Sequence, residues 1–170
     1  MLDVHELAAG KLAALFGRAA SRDLFDVRQF LASTKLASEK LRLGFIVYGG
    51  MSRRDWRTVS LDDVHIDPTD VDRQLVPLLQ AHVAPSRTDI GVWTERLVAD
   101  CRDLLSVVLP MTTNEIEFLH RLNDEGEIAP EFLTTDDALQ STIASHPGLH
   151  WKALNVREHH GAILRERDGG

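Results

Sequence analysis

The sequence is poor in several features that would place it in a special class of protein. It has one cysteine, Cys101, among 170 residues, which excludes an internal disulfide and a zinc cluster built from cysteines. No stretch reaches the roughly 18 consecutive apolar residues that a membrane-spanning helix needs. No basic stretch followed by an apolar one opens the sequence, as a secretory leader would. We therefore expect a cytoplasmic protein with no membrane segment, and Cys101 as a small core residue.

Charge is distributed unevenly along the chain. Residues 1–57 contain ten Lys and Arg against six Asp and Glu, whereas residues 58–170 contain nine against twenty. If the chain binds a phosphate-bearing ligand, the basic first third is the part expected to meet it. Two ordinary solvated surfaces explain the same counts, and composition alone slightly favours that explanation.

Apolar residues recur at helical spacing over most of the chain, so we expect a mainly α, bundle-like fold. The whole of residues 1–170 is predicted to form a single helical domain. Residues 1–50 carry the functional motif on helices, 51–69 are irregular, and 70–165 are helical support. A short hairpin near residues 58–66 is an alternative for part of the irregular segment.

Several local signals predict where the helices begin and end. Candidate N-caps are Asp3, Ser21 and Thr113, the last without a capping box because residue 116 is Ile. Gly49 and Gly50 are expected to break the helical pattern of the third run, Ser38 to Val47. The remaining boundaries follow from Pro68, Pro77, Pro110, Gly126, Thr135 and Pro147.

One helix–turn–helix corner gathers five charged residues. Lys11 and Arg18 are seven residues apart and share a side of the first helix, Arg22 follows in the turn, and Asp23 and Asp26 share a face of the second helix. Such cations hold triphosphate oxygens, and a neighbouring carboxylate orients the lysine or acts on a nucleophile. The alternative is a salt-bridged elbow with the pairs Arg22–Asp26 and Arg18–Asp23, and chemistry alone favours it.

The segment HELAAGKLAALFGRAASRDLFDV resembles the Lys-motif and Arg-Asp-motif region of the AbiEii/AbiGii-type nucleotidyltransferase toxins. That pattern has a helical Lys, Ala-Leu, Arg, Arg-Asp, two apolar residues and Asp, and the spacing agrees residue by residue. A weaker resemblance continues through FIVYGG, RRDW, LVPLL, IAPEFLTTDD and HPGLHWKALNVREH. The family resemblance implies that Lys11 binds nucleotide phosphate and that Lys11 and Asp26 are the catalytic-site residues. Arg18, Arg22 and Asp23 match the motif as further nucleotide-binding candidates.

The resemblance also implies an activity and its partners. We expect transfer of NMP from an NTP to an acceptor such as tRNA, with Mg²⁺ and NTP as cofactors of the complete enzyme. Such toxins act in toxin–antitoxin systems and phage defence, so a cognate antitoxin is an expected partner. The alternative function is a non-catalytic helical module that binds another protein or RNA.

The chain departs from the family pattern at the metal site. The family fold begins with a strand-rich half that carries a Gly-Ser loop and paired carboxylates for Mg²⁺. This sequence contains no Gly-Ser dipeptide, and Asp70 and Asp72 follow Pro68 at a helix start instead of sharing one face of a strand. We expect no metal site here, and a C-terminal half that is inactive without an N-terminal half. That half or a second copy of the chain is the expected partner; an expressed fragment, a natural truncation and a split enzyme all remain open.

Other residues with chemical potential have simpler explanations. The histidines His146, His150, His159 and His160 are not spaced to share one helix face, so solvent or capping roles are expected. The cluster Arg53, Arg54, Trp56 and Arg57 suits RNA by charge and stacking, but a basic loop with Trp56 packed inward is favoured. Packing plus surface charge is likewise expected for Trp151, Lys152, Asn155 and Arg157.

Overall fold

The computed structural model describes the backbone of residues 4–168 and the side chains of residues 4–159. These residues form α-helices and tighter helical turns, with no strand among them, which confirms the mainly α prediction. The α-helices are α1 (Val4–Arg18), α2 (Ser21–Ser33), α3 (Ser38–Gly50), α4 (Pro68–Asp70), α5 (Ile90–Leu105), α6 (Thr113–His120), α7 (Asp137–Ala144) and α8 (Pro147–Asp168). The 3₁₀ turns are Trp56–Thr58, Leu61–Asp63, Val76–Leu78 and Pro130–Phe132, and the π turns are Val71–Leu75 and Arg121–Glu125.

The described chain divides into two compact units. Unit 1 holds the described residues up to Phe45 together with Val59–Pro110, and unit 2 holds Ile46–Thr58 together with the described residues from Met111 onwards. The division falls inside α3, so each unit is assembled from two separate stretches of chain.

Unit 1 is built around α2, which packs against α1 and α5. Apolar residues three or four positions apart bury one face of each helix, as the helical period requires. Phe16 of α1 meets Phe45 edge to face, with ring centroids 5.8 Å apart. The fully buried side chains of this unit include Leu12, Leu24, Val27, Val64, Val71, Cys101 and Leu105.

Unit 2 is built around α8, which packs against the π turn Arg121–Glu125. Its buried side chains include Ile46, Trp56, Phe118, Leu119, Leu122, Leu149 and Ala153. Gly126 ends the α6 run with φ of 66°, a left-handed backbone that suits glycine. A Cβ at Gly126 would lie 2.7 Å from the carbonyl oxygen of Ala153, so the glycine also allows α8 to approach closely.

The segment after residue 47 agrees with the prediction only in part. The helix α3 ends at Gly50, where a break was predicted, but Gly49 and Gly50 belong to the helix and are buried. A Cβ at Gly49 would lie 2.0 Å from Nε1 of Trp56, so the absent side chain leaves room for the indole. The hairpin alternative is wrong because 3₁₀ turns occupy that segment. There the backbone N–H of Ser60 donates to Asp63 Oδ2 at 2.8 Å, a local bond that competes with strand pairing.

Helix caps account for the remaining corrections. Thr112, not Thr113, caps α6 in a full capping box. Its N–H donates to Glu115 Oε2 at 2.6 Å, and the Glu115 N–H donates to Thr112 Oγ1 at 3.3 Å. Ser21 is not the cap of α2 but its buried first residue. The Asp3 prediction lies outside the described residues.

The structure confirms the expected burial of the single cysteine. Cys101 is fully buried, as predicted, and burial raises the pKa of its thiol to about 12. None of the helices in residues 4–168 combines the length and the apolar character that crossing a membrane requires.

Candidate functional site

The predicted corner forms where α1 meets α2 in unit 1. Lys11 lies in the middle of α1, whose neighbouring Leu12 and Leu15 are buried, so the lysine projects from the flank of the helix. Its Nζ donates to Asp26 Oδ2 of α2 at 3.1 Å. The side chain of Lys11 is 33% exposed and that of Asp26 is 59% exposed. Lys11 and Asp26 therefore lie together at an accessible surface, whereas their roles stay predictions.

The other three motif residues make their own contacts. Arg18 uses Nε and Nη2 to donate to the two carboxylate oxygens of Asp23, each at 3.2 Å. Arg22 does not pair with Asp26 as the elbow alternative required; its Nε donates to the backbone carbonyl of Gln74 at 3.1 Å. One of the two predicted elbow pairs exists, and Lys11 takes the place of Arg22 in the other.

A carboxylate distant in sequence sets the start of α2. The first N–H groups of a helix lack internal partners, and the N–H of Ser21 donates to Asp70 Oδ2 at 3.1 Å. Asp70 thus acts as the cap that Ser21 was expected to provide. Arg22 lies in the first turn of α2, just after this cap, and not in the connection before the helix. The hydroxyl of Ser21 is buried without a hydrogen-bond partner. The local sequence of α2 contains no signal for a cap 49 residues away.

Contacts with α5 hold the middle of α2. Arg28 donates to Asp100 Oδ2 from Nε at 3.3 Å and from Nη2 at 2.9 Å. Phe25 stacks on Trp93 with ring centroids 6.4 Å apart. These four residues help to line a cavity of about 280 Å³, but its Arg28 is already neutralised by Asp100. The contacts therefore explain how Asp26, one residue after Phe25, is positioned.

The corner does not fit Mg²⁺. That ion prefers several oxygen ligands in octahedral geometry, and the two carboxylates of the motif each face a cation, Asp26 with Lys11 and Asp23 with Arg18. Among the side chains of residues 4–159, no group of three or more His, Cys, Asp or Glu is arranged to hold a metal ion. Asp70 caps α2, and Asp72 follows it inside a π turn.

What the corner offers is an exposed ammonium held by an exposed carboxylate. Ion pairs of this kind contribute about 0–1 kcal/mol, so an incoming phosphate can replace Asp26 as the partner of Lys11 at small cost. A weak, accessible pair suits a group that must change partners during binding.

Comparison with known proteins identifies the family from which the corner sequence comes. The model of the family described as "Nucleotidyl transferase AbiEii toxin, Type IV TA system" matches residues 1–100, which include all five motif residues. The chain belongs to the AbiEii nucleotidyl transferase toxin family. No curated protein and no solved structure matches it significantly.

Unit 2 of this AbiEii-family chain contains a second candidate site. A cavity of about 310 Å³ opens between α8 and the segment after α3. Its nine lining residues are Met51, Ser52, Arg53, Asn123, Trp151, Lys152, Asn155, Val156 and His159. The packing role expected for Trp151 is wrong, because its side chain is 59% exposed.

The pocket was missed because its parts are far apart in sequence. Lys152 Nζ donates to the carbonyl oxygen of Ser52 at 3.1 Å, across 100 residues. Burial lowers the pKa of Lys152, and nearby Asp55 acts in the opposite direction. A signal for Trp151 does exist in the sequence. The buried Leu149 and Ala153 are four residues apart, so a residue midway between them faces away from the core.

The basic loop beside the pocket is only partly available. Trp56 packs inward and is fully buried, as predicted. Arg57 donates to both carboxylate oxygens of Asp55 and to those of Asp124. The hydrogen bond from Arg57 holds the pKa of Asp55 below its usual range. Of this loop, Arg53 is the arginine that lines the cavity.

The described histidines of the predicted set contact the backbone, solvent or the pocket. His146 accepts a hydrogen bond at Nδ1 from the N–H of Gly148, at 3.1 Å, and lies edge-on to Tyr48. His150 is exposed, and His159 lies at the pocket. The side chain of His160 is outside the described residues.

Proposed function

We propose that the α1–α2 corner is the phosphate-handling part of a nucleotidyl transfer site. The chain contributes to moving NMP from an NTP to an acceptor, with tRNA as the acceptor class favoured by the sequence resemblance. Lys11 binds phosphate oxygens of the NTP, with Arg18, Arg22 and Asp23 framing the same corner. Asp26 is the catalytic carboxylate. The observation that carries the proposal is the 3.1 Å Lys11–Asp26 pair within the segment that matches the family.

The reaction assigns a task to each group. A hydroxyl oxygen of the acceptor attacks the α-phosphorus of the NTP, a new P–O bond forms, and the bond to the β-phosphate oxygen breaks to release pyrophosphate. The hydroxyl proton leaves during this exchange. Lys11 offsets the phosphate charge, and Asp26, released from Lys11 when phosphate binds, is a base placed to accept that proton.

Other parts of the enzyme are also proposed. Because the corner does not fit Mg²⁺, metal binding is assigned to carboxylates outside it, on an N-terminal half or on a partner chain. The 170-residue chain alone is accordingly expected to be inactive in transfer. A cognate antitoxin is a proposed partner, which the Type IV toxin–antitoxin description of the family supports. The proposed setting is the cytoplasm.

Nucleotide titration tests the corner directly. Each of the four NTPs is titrated into the chain by isothermal calorimetry, with wild type, Lys11→Ala and Lys40→Ala compared. Losing a charge-assisted contact to phosphate is expected to weaken binding at least about tenfold in Lys11→Ala. Lys40 is an exposed lysine of α3 outside the motif, so Lys40→Ala is expected to bind as wild type does. Equal NTP affinity in Lys11→Ala and wild type would contradict the proposal.

A transfer assay separates the enzyme from the alternative interaction module. An NTP labelled at its α-phosphate is incubated with tRNA, the chain and an added N-terminal half. Label on the tRNA that disappears in Asp26→Asn supports transfer. A stable assembly without any transfer contradicts it, and salt-sensitive RNA binding by such an inactive assembly favours the module.

A further inference from the structure

Trp151 of unit 2 is exposed to an unusual degree for its size. Tryptophan is one of the most buried residue types on average, yet this indole is 59% exposed at the mouth of a cavity of about 310 Å³. Pockets that hold small organic groups have volumes of about 300–1,000 Å³. An accessible indole offers a flat π face on which a nucleobase stacks.

The cavity is also basic. Arg53, Lys152 and His159 line it, and none of its nine described lining residues carries a carboxylate. Two acidic residues outside the lining, Asp55 of the basic loop and Asp124 of the π turn, both pair with Arg57. This arginine offsets part of their negative charge, although Asp55 still acts on Lys152. An anion entering the cavity meets cations without a competing carboxylate on its wall.

The two cations near the rim keep donors for a ligand. An ammonium group has three N–H donors, and Lys152 uses one for the carbonyl of Ser52. This bond anchors the lysine at the cavity wall and orients its remaining donors. Arg53 is an exposed lining residue on the neighbouring loop. Together they can contact one phosphate group through several hydrogen bonds.

Side-chain amides complete the lining. Asn155 Nδ2 donates to the carbonyl of Trp151 at 2.8 Å, which fixes this amide one turn after the indole. Asn123 lies on the opposite wall, on the π turn that packs against α8. An amide presents both a donor and an acceptor, the combination found on the edges of nucleobases. The cavity thus combines a stacking face, amides and cations.

We propose that this pocket binds one nucleotide unit of a single-stranded nucleic acid, with the base on Trp151 and its phosphate on Arg53 and Lys152. A strand fits better than a free nucleotide because the cavity is open to solvent and its indole is accessible, so a chain can enter and leave. The inference does not rest on the proposed function, since none of the corner residues lines this pocket and no transfer step is required.

Fluorescence anisotropy with labelled ten-nucleotide strands tests the proposal. Wild type is titrated with single-stranded RNA and DNA of the same sequence, and the measurement is repeated with Trp151→Ala, Trp151→Phe and Leu154→Ala. Removing a stacking partner is expected to weaken binding about tenfold in Trp151→Ala, while Trp151→Phe keeps most of the affinity. Leu154 is 50% exposed on the same helix but outside the lining, so Leu154→Ala is the matched control.

The charged residues give a second readout. Plots of log affinity against log salt concentration have a negative slope. Lys152→Met is expected to reduce the magnitude of this slope by roughly one, because one phosphate contact is lost. Tighter binding of RNA than of DNA assigns the strand to RNA, and the reverse result assigns it to DNA. Asp26→Asn is expected to bind the strand as wild type does, which separates failure of this inference from failure of the proposed function.

Several results would overturn the inference. These are absence of strand binding up to roughly 100 µM, the weak end of non-specific affinity, or equal affinity of wild type and Trp151→Ala. Equal binding of polyglutamate would show charge attraction without base recognition. Binding of AMP as tight as that of the ten-nucleotide strand would show a mononucleotide site. Circular dichroism of each variant verifies that its helices are intact.

Discussion

The α1–α2 corner and the Trp151 pocket both contain cations, but cations are paired with carboxylates at the corner and not in the pocket. At the corner, Lys11 and Arg18 each face a carboxylate, Asp26 and Asp23 respectively, so these two pairs are neutral. In the pocket, Arg53 and Lys152 face a wall without carboxylates among its described lining residues. The comparison shows that charged residues on two consecutive helices form pairs that sequence spacing predicts, whereas the unpaired cations of the pocket come from segments that folding brings together.

The largest expected effect on stability comes from filling the space beside Trp56. This buried residue belongs to unit 2, the unit that contains the pocket. Gly49→Ala places a methyl group 2.0 Å from the buried Trp56 Nε1. The indole must move, because little slack exists in a packed interior, and the free energy of unfolding should fall by about 2–3 kcal/mol. Urea denaturation followed by circular dichroism measures the change.

Gly91→Ala provides the matched glycine control in α5. Apart from its chain neighbours and the nearby backbone of α5, no heavy atom of the described residues lies within 4 Å of the added methyl there. Replacement should therefore raise stability by up to about 1 kcal/mol. A loss of similar size in both variants would show that close packing against Trp56 does not decide the effect.

The difference between these two regions also explains what the sequence could predict. Local periodicity identified the helices, and the spacing from Lys11 to Asp26 identified a corner because all its members lie on two consecutive helices. The Asp70 cap and the contact between Lys152 and Ser52 join residues 49 and 100 positions apart. No periodic pattern within a single segment reports such contacts. The burial of Gly49 was missed for the same reason, since its role depends on Trp56 entering the space.

A smaller effect tests whether Arg57 offsets the acids beside the pocket. The hydrogen bond from Arg57 lowers the pKa of Asp55, so this pair stabilises the fold above the unfolded pKa of about 4 and the benefit is lost as pH falls through the lower, folded pKa. Arg57→Met should therefore lower stability at neutral pH. We expect a loss of at most about 1 kcal/mol from this pair, because Asp55 is partly exposed.

The measurement is the free energy of unfolding at a series of pH values from 7 down to about 3. The difference in the free energy of unfolding between wild type and Arg57→Met should become smaller as Asp55 becomes protonated. Arg96→Met, at an exposed arginine of α5, should show no such narrowing. The freed carboxylates should also weaken strand binding at neutral pH, and unchanged binding would mean that Arg57 does not protect the pocket.

The smallest effect concerns the turn that joins the two helices of the corner. Ala19 has φ of 50°, a left-handed backbone immediately after α1, and its N–H donates to the carbonyl of Leu15 at 2.8 Å. Glycine adopts this conformation without the steric penalty of a Cβ. Ala19→Gly should therefore raise the free energy of unfolding by about 0.5 kcal/mol, the relief of strain exceeding the added entropy of the unfolded chain.

Ala13→Gly, inside α1, makes the same chemical change and is expected to alter the free energy of unfolding in the opposite direction. At that position glycine removes helix propensity and relieves no strain, so stability should fall by about 0.5–1 kcal/mol. Differential scanning calorimetry of the two variants should move the melting temperature in opposite directions. If both variants lose stability, the left-handed turn at Ala19 carries little strain, and the position of Arg18 relative to α2 then depends on its pair with Asp23 more than on the turn.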